Sequence, residues 1–212
     1  MVAKHGFLVF VDAIVVPANL LIVVARSDDY FFGVLHSRIH EVWALRMGTR
    51  LETRPRYTPT TCFETFPFPW PPGKEPQDDP RVEAIAEAAR ELDRLRSTWL
   101  NPPEWTREEV LEFPGSADGP WARYVHDPDE RGIGTVRYPR TVPKDVECAI
   151  NLKARTLTNL YNQRPTWLAL AHAKLDAAVF AAYGWDPAMT DEQLLESLLA
   201  LNLERAASGC TS

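Results

Sequence analysis

The sequence lacks the motifs by which enzymes commonly hold a cofactor or a metal ion. Its three cysteines, Cys62, Cys148 and Cys210, are odd in number and far apart, a spacing typical of neither a metal site nor a disulfide framework. No glycine-rich turn between a strand and a helix is present to bind a nucleotide-type cofactor. We therefore expect a chain that binds no cofactor and no metal itself, and that resides in the reducing cytoplasm.

An excess of positive charge is also missing. The chain has 23 Lys and Arg against 29 Asp and Glu, for a formal net charge of -6, which argues against a freestanding nucleic-acid-binding protein. Residues 1–73 contain seven of these basic residues and six of the acidic ones, so the acidity lies in the remainder. This distribution leaves room for a local DNA-binding surface in the first third of the chain.

The one long hydrophobic run, residues 7–25, has the composition of a signal peptide or a membrane span. Asp12 lies inside the run, and a central acid costs about 2.5 to 3.5 kcal/mol on membrane-insertion scales. Pro17 divides the run into two short β-branched halves, a pattern that is typical of a hairpin. We expect two strands, at about residues 7–16 and 20–25, and no membrane association.

Residues 27–48 carry the signals of a single helix. Ser27 is a candidate N-cap, acidic residues occupy the first turn, and Gly48 follows the last turn. An apolar stripe with helical spacing predicts a face toward the core: Phe31, Leu35, Ile39 and Val42. The opposite side is predicted to carry His36, His40, Trp43 and Met47.

A basic strand is predicted after this helix. Arg50, Glu52, Arg54 and Arg56 alternate at period two, so they would share one face of a single strand. Arginine pairs bidentately with guanine and glutamate accepts from the cytosine amine, so this face is a candidate for DNA readout, with Arg46 adding charge on its flank. The alternative is an exposed, salt-bridged strand without function.

One segment resembles a catalytic motif. Residues 101–104, Asn-Pro-Pro-Glu, are close to the Asn-Pro-Pro-aromatic sequence with which amino-group DNA methyltransferases hold a flipped base. Here the aromatic residue, Trp105, comes one place late. A loop that ends the preceding helix is the better interpretation.

Two further polar clusters have simpler explanations. His36 and His40 have the spacing of helical zinc ligands, but Ser37 stands where a metalloprotease-type motif has glutamate, and no third ligand is evident. Residues 126–130, His-Asp-Pro-Asp-Glu, lie in a Pro- and Gly-rich stretch whose turn chemistry accounts for them.

The remainder of the chain is predicted to be mainly helical. Periodic apolar residues indicate helices at about residues 80–100 and 165–183, and a capping box at residues 190–193 precedes the last helix. Residues 104–142 show no sustained period and predict packed loops or short strands. The expected fold is α+β: a strand–helix–strand portion at residues 1–72, then a helical domain at residues 73–212 with a long irregular insertion.

Residues 27–69, which end in TFPFP, and residues 157–185, LTNLYNQRPTWLALAHAKLDAAVFAAYGW, carry a family resemblance. The chain resembles the C-terminal part of large adenine-specific DNA methyltransferases, including fused type II restriction–modification enzymes and phage-defence methylases. The resemblance implies that residues 1–72 are part of a target recognition domain, that a helical domain follows, and that the catalytic half of the family is missing here. The chain is therefore expected to begin within a domain.

The resemblance also implies a function. The chain would position double-stranded DNA and select the base sequence for adenine N6 methylation, while a methyltransferase catalytic domain on the same or a partner chain would use S-adenosylmethionine. Alone, this chain is expected not to methylate and to contain no catalytic residue. Two alternatives stay open: a protein-interaction module or trans-acting specificity subunit without enzyme activity, and a complete small enzyme that uses residues 101–105.

Overall fold

A computed structural model describes residues 5–12, 14–18, 21–51 and 54–209. The expected α+β class is confirmed, with seven α-helices and five strands among these residues. The chain divides into two compact units. The helical unit comprises Met1–Phe10, Pro17–Leu95 and Tyr161–Ser212, and the sheet unit comprises Val11–Val16 and Arg96–Leu160. This division differs from the expected one at residue 72, because the helices of the C-terminal segment belong to the same unit as residues 17–72.

The helical unit contains most of the secondary structure. Its elements are α1 (Asp29–His36), α2 (Arg38–Met47), β1 (Thr49–Leu51), β2 (Arg54–Arg56), a π-helical turn (Pro59–Phe63), most of α3 (Pro80–Leu100), α6 (Thr166–Tyr183) and α7 (Asp191–Gly209). The sheet unit contains β3 (Thr106–Ser116), a 3-10 turn (Ala122–Tyr124), β4 (Val125–His126), β5 (Ile133–Pro143) and α4 (Val146–Leu152). Helix α5 (Leu157–Gln163) spans the boundary between the units.

The single helix expected at residues 27–48 is in fact two helices that meet at Ser37. Asp28, rather than Ser27, caps α1, since its Oδ1 accepts the backbone N–H of Phe31 at 2.8 Å. Ser37 has an extended backbone, and its hydroxyl donates to the Val34 carbonyl and accepts the N–H of His40. A serine side chain that bonds the backbone in this way competes with helical hydrogen bonds, which explains the break.

Helix α1 is the centre of the helical unit rather than an amphipathic surface helix. Every residue from Tyr30 to His36 is buried. Gly33 permits this because a Cβ there would lie 2.7 Å from the Ile85 side chain of α3 and 3.2 Å from the Leu175 side chain of α6. Phe31 and Leu35, which were predicted to face the core, are buried. His36, which was predicted to lie on the opposite side of the helix, is buried as well.

The expected N-terminal hairpin does not appear among the described residues of this segment. Where the structure describes residues 5–25, it assigns no strand to them, and several of the apolar side chains are exposed, most of all Val16 at 92%. Asp12 has a polar role in the sheet unit, where its Oδ2 accepts the hydroxyl of Tyr124 at 2.6 Å. No helix among the described residues is long and apolar enough to cross a membrane.

Residues 104–142 contain strands, as one of the two expected alternatives allowed, but two of the strands are 11 residues long rather than short. Strands β3 and β5 pair antiparallel along their full length, and β4 pairs with the other edge of β5. The prolines that suggested loops are tolerated because β4 covers only Thr135 and Val136, so Pro139 and Pro143 lie where β5 has a single neighbour.

The three long helices are as expected. Helix α3 begins at Pro80, and α6 ends at Gly184, whose backbone is left-handed with φ 70°. The capping box is confirmed, because Gln193 accepts the N–H of Thr190 while the Thr190 hydroxyl accepts the N–H of Gln193.

Candidate nucleic-acid interface

The residues predicted to form one basic strand are divided between the two strands of a hairpin. Strands β1 and β2 pair antiparallel, with Thr49 opposite Arg56, Arg50 opposite Pro55 and Leu51 opposite Arg54. The alternation from Arg50 to Arg56 therefore does not lie on one strand, and the single-face prediction is wrong. Glu52 lies outside the described residues. We call residues 49–56 the recognition hairpin.

The end of α2 fixes the position of this hairpin. Gly48 closes α2 by donating its N–H to the Ala44 carbonyl at 2.9 Å. A Cβ at Gly48 would lie 2.7 Å from the Ala44 oxygen and 2.8 Å from the Arg56 oxygen. Glycine is required here because the helix end and β2 approach each other too closely for a side chain. The predicted cations Arg46 and Arg56 are consequently brought to the same end of α2.

Arg46 and Arg56 are exposed, and neither forms an ion pair with any residue that the structure describes. Most other arginines of the helical unit are engaged. Arg38, for example, bonds Asp191 at 2.6 Å and the Met189 carbonyl at 3.0 Å. Because no nearby carboxylate offsets their positive charge, these two cations can attract an anionic ligand. Thr49, which sequence reasoning did not single out, is exposed and lies opposite Arg56, where cross-strand neighbours share a face.

A buried histidine of α2 connects that helix to the residue that follows the hairpin. His40 donates from Nδ1 to the Leu35 carbonyl at 2.9 Å, so its Nε2 accepts the hydroxyl of Tyr57, directly after β2, at 3.1 Å. Burial lowers the pKa of His40 to about 4, and burial also raises the pKa of Tyr57. The pair is therefore neutral near pH 7 and ties the residue after β2 to α2.

The zinc interpretation of His36 and His40 has no support in the geometry. The backbone N–H of Leu8 donates to His36 Nε2 at 3.0 Å, which leaves Nδ1 to donate to the Phe32 carbonyl at 3.1 Å. Both nitrogens of both rings are thus occupied by protein groups. No cluster of three potential metal ligands occurs in the described part of the chain.

The Asn-Pro-Pro-Glu segment ends α3, as the loop interpretation predicted. The Pro102 carbonyl accepts the backbone N–H of Trp105 and both the N–H and the hydroxyl of Thr106. The guanidinium of Arg155 lies over the rings of Trp99 and Trp105, 4.5 and 4.8 Å from their centroids. Trp105 is therefore engaged in a cation–π contact.

The acidic cluster at residues 126–130 is a turn, as predicted. It joins β4 to β5, with Asp127 and Gly132 in the left-handed region at φ 49° and 74°. The Asp129 carboxylate accepts the backbone N–H groups of Arg131 and Ile133 at 2.9 Å each. The Asp129 carboxylate therefore serves the local backbone.

Comparison with known proteins finds a family model that matches the segment containing this hairpin. Residues 7–70 match the family model described as MmeI, target recognition domain. The match includes α1, α2, the recognition hairpin and the TFPFP segment. The resemblance to the target recognition domain of type II restriction–modification enzymes is confirmed over residues 7–70.

Two longer proteins are similar to most of the chain. "DNA methyltransferase A" of Bacillus subtilis (strain 168) is 28% identical over 189 residues, which cover 88% of this chain and 15% of the relative. A solved structure of the type IIL restriction–modification enzyme MmeI in complex with DNA covers 85% of this chain and 17% of that chain, with 23% identity and a TM-score of 0.52. The chain thus spans about one sixth of the length of either protein, and the second likeness shows a shared fold.

Proposed function

We propose that this chain recognises and positions double-stranded DNA for an adenine-specific methyltransferase of a restriction–modification or phage-defence system. One observation carries the proposal. The segment that matches a target recognition domain contains a two-stranded hairpin, at whose base two exposed arginines have no ion-pair partner among the described residues. The formal charge of -6 makes unpaired cations in this segment more informative than they would be in a basic protein.

The hairpin suits the major groove of DNA. That groove admits an α-helix or a two-stranded β-ribbon, and arginine reads guanine there through two parallel hydrogen bonds. We assign base readout to Arg50, Glu52 and Arg54. Arg46 and Arg56, at the base of the hairpin, are assigned to phosphate contacts, which position the domain without reading sequence.

Methyl transfer is assigned to a catalytic domain on the same or a partner chain in the cytoplasm, with S-adenosylmethionine as its cofactor. The Asn-Pro-Pro-Glu segment supports this division, because it closes α3 and the residue that follows it, Trp105, packs on Arg155. The N-terminal segment supports a larger partner, since it exposes apolar side chains that isolated proteins normally bury: Val11, Val16, Leu21 and Val23.

These apolar side chains also favour a second candidate, a protein-interaction module without DNA affinity. The two functions differ in their dependence on salt. DNA binding through the hairpin releases counterions, so the logarithm of the affinity falls with the logarithm of the salt concentration by about 0.9 for each phosphate neutralised. Apolar association has no such dependence on salt.

The test is fluorescence anisotropy with a random-sequence duplex across a range of salt concentrations. Replacing Arg46 and Arg56 together by Ala is expected to weaken binding about tenfold and to reduce the salt slope by about 2, because two phosphate contacts are lost. The matched control is Arg131→Ala, since Arg131 is also exposed and without an ion pair among the described residues. Equal effects of the two changes, or wild-type binding without a salt slope, would contradict the proposal.

In the parent enzyme, replacing Glu52 and Arg54 is expected to change the recognised base or to abolish modification without unfolding the protein. An unchanged site preference would refute the assignment of these residues.

A further inference from the structure

The TFPFP segment, residues 65–69, forms neither a strand nor a helix, although it is largely buried. We call it the proline strap. Phe66, Pro67 and Phe68 are buried, and Pro67 and Pro69 have no backbone N–H with which to join a sheet. Buried backbone carbonyls must nevertheless find hydrogen-bond donors. The strap therefore depends on other parts of the chain for its hydrogen bonds.

Side chains of α6 and α7 supply these donors. The Tyr183 hydroxyl donates to the Pro67 carbonyl at 2.8 Å, and the Asn202 amide donates to the Thr65 carbonyl at 3.0 Å. The two terminal nitrogens of Arg205 donate to the carbonyls of Phe68 at 2.6 Å and Pro69 at 2.9 Å. Three side chains, about 120 to 140 residues further along the chain, thus satisfy four strap carbonyls.

The hydrogen-bond partners of Arg205 are unusual for a cation. Its hydrogen bonds go to neutral carbonyls, and it makes no ion pair with a carboxylate in the part of the chain that the structure describes. Two successive carbonyls accept from the two ends of one guanidinium, which is a planar fork of donors. Lysine, a single point charge, cannot reproduce this geometry.

The strap in turn contacts the elements that carry the recognition hairpin. Phe68 stacks on Phe31 of α1 with ring centroids 5.1 Å apart, and Phe66 meets His40 of α2 edge-on at 4.8 Å. His40 binds the hydroxyl of Tyr57, directly after β2. Between hairpin and strap, Cys62 is completely buried, and its thiol lies 3.7 Å from the Ala44 carbonyl near the end of α2.

We propose that Arg205, Asn202 and Tyr183 are positioning residues for DNA recognition: helices α6 and α7 clamp the proline strap and thereby fix the recognition hairpin on α2. This inference rests on the proposed function for its DNA part.

The experiment uses Cys62 as a reporter. Cys148→Ser and Cys210→Ser leave Cys62 as the sole thiol of the full-length chain, and its alkylation rate then measures how often the strap and π-helical turn open. Arg205→Gln is expected to raise this rate at least tenfold at temperatures well below the unfolding midpoint, since hydrogen bonds to a charged donor are lost. Arg205→Lys is expected to lower the alkylation rate only part of the way back to the wild-type value. Glu204 is an exposed neighbour on α7, and Glu204→Gln is expected to leave the rate unchanged.

The same variants are then compared for DNA selectivity, the affinity ratio between a duplex enriched by the wild-type chain and a random duplex. Arg205→Gln is expected to lower this ratio about tenfold while the random-duplex affinity stays unchanged, because the hairpin cations are intact. An unchanged Cys62 rate, or the same rise in Glu204→Gln, would overturn the clamp. Faster alkylation of Cys62 in Arg205→Gln with unchanged DNA selectivity would overturn the positioning role of Arg205. Failure of the wild-type chain to bind DNA would overturn the proposed function, and the alkylation rate would still support the clamp.

Discussion

At the scale of single residues, polar side chains in the core determine how the hairpin is held. His40 is 3% exposed and has a protein partner on each ring nitrogen. The tautomer follows from these partners, because a carbonyl must accept from Nδ1 and the Tyr57 hydroxyl must then donate to Nε2. Protonation of Nε2 would place a positive charge on a buried ring, and burial disfavours that charged form.

This environment predicts a loss of stability in mild acid. The pKa of His40 is lowered to about 4 in the folded chain, against about 6.5 when unfolded. Between these pH values the unfolded chain binds more protons, so the stabilisation is present above pH 6.5 and is lost as the pH falls toward 4, by up to about 3 kcal/mol. Urea unfolding at a series of pH values measures this loss.

A matched pair of histidine variants identifies the source of that pH dependence. His40→Gln is expected to lower stability at pH 7 but to flatten the profile between pH 4 and 6.5. His126→Gln, at an exposed position, is expected to leave the profile as it is. A profile that remains equally steep in His40→Gln would assign the acid sensitivity to other groups.

At the scale of secondary-structure elements, the sequence predicts the long helices better than the strands. Helices α3, α6 and α7 carry periodic apolar residues and clear end signals, and they form as expected. The break at Ser37 depends on one side chain bonding the backbone at two points, which spacing does not indicate. Strand β5 was missed because its prolines normally exclude a strand, and their tolerance depends on the short extent of β4.

The recognition hairpin also has a feature that sequence spacing does not indicate. The basic residues stand out by their spacing, but the alternation at period two is compatible with one strand or with two strands joined by a turn. Pairing of Leu51 with Arg54 selects the hairpin, and that choice depends on tertiary contacts at Gly48 and Tyr57. The strap clamp was not foreseen, because its donors and acceptors are more than 110 residues apart in sequence.

The β3–β5 pair is expected to be dispensable for the helical unit. The backbone N–H of Lys144 donates to the Trp105 carbonyl at 2.9 Å, so the two ends of the strand pair are adjacent and a short turn can connect them. Replacing residues 107–142 by Asn-Gly is expected to leave hydrogen-exchange protection of α1 and α6, as well as duplex affinity, unchanged. Loss of protection in α1 would show that the sheet stabilises the helical unit.

At the scale of the whole molecule, an acidic chain is assigned to DNA through one local surface. The chain spans about one sixth of the length of the relatives it matches, and the match to a target recognition domain is confined to residues 7–70. Within that match, Arg46 and Arg56 are exposed and have no ion-pair partner among the residues that the structure describes. The account therefore requires that DNA contact the base of the recognition hairpin and the end of α2.

The most direct test of this claim is to map ultraviolet crosslinks between the full-length chain and a halogenated random-sequence duplex by mass spectrometry, at low and at high salt. The account predicts that crosslinked peptides fall within residues 46–58 and that their yield decreases as salt increases, because phosphate contacts are screened and displaced. Crosslinks concentrated in the sheet unit, or a yield that does not respond to salt, would contradict DNA recognition by the hairpin.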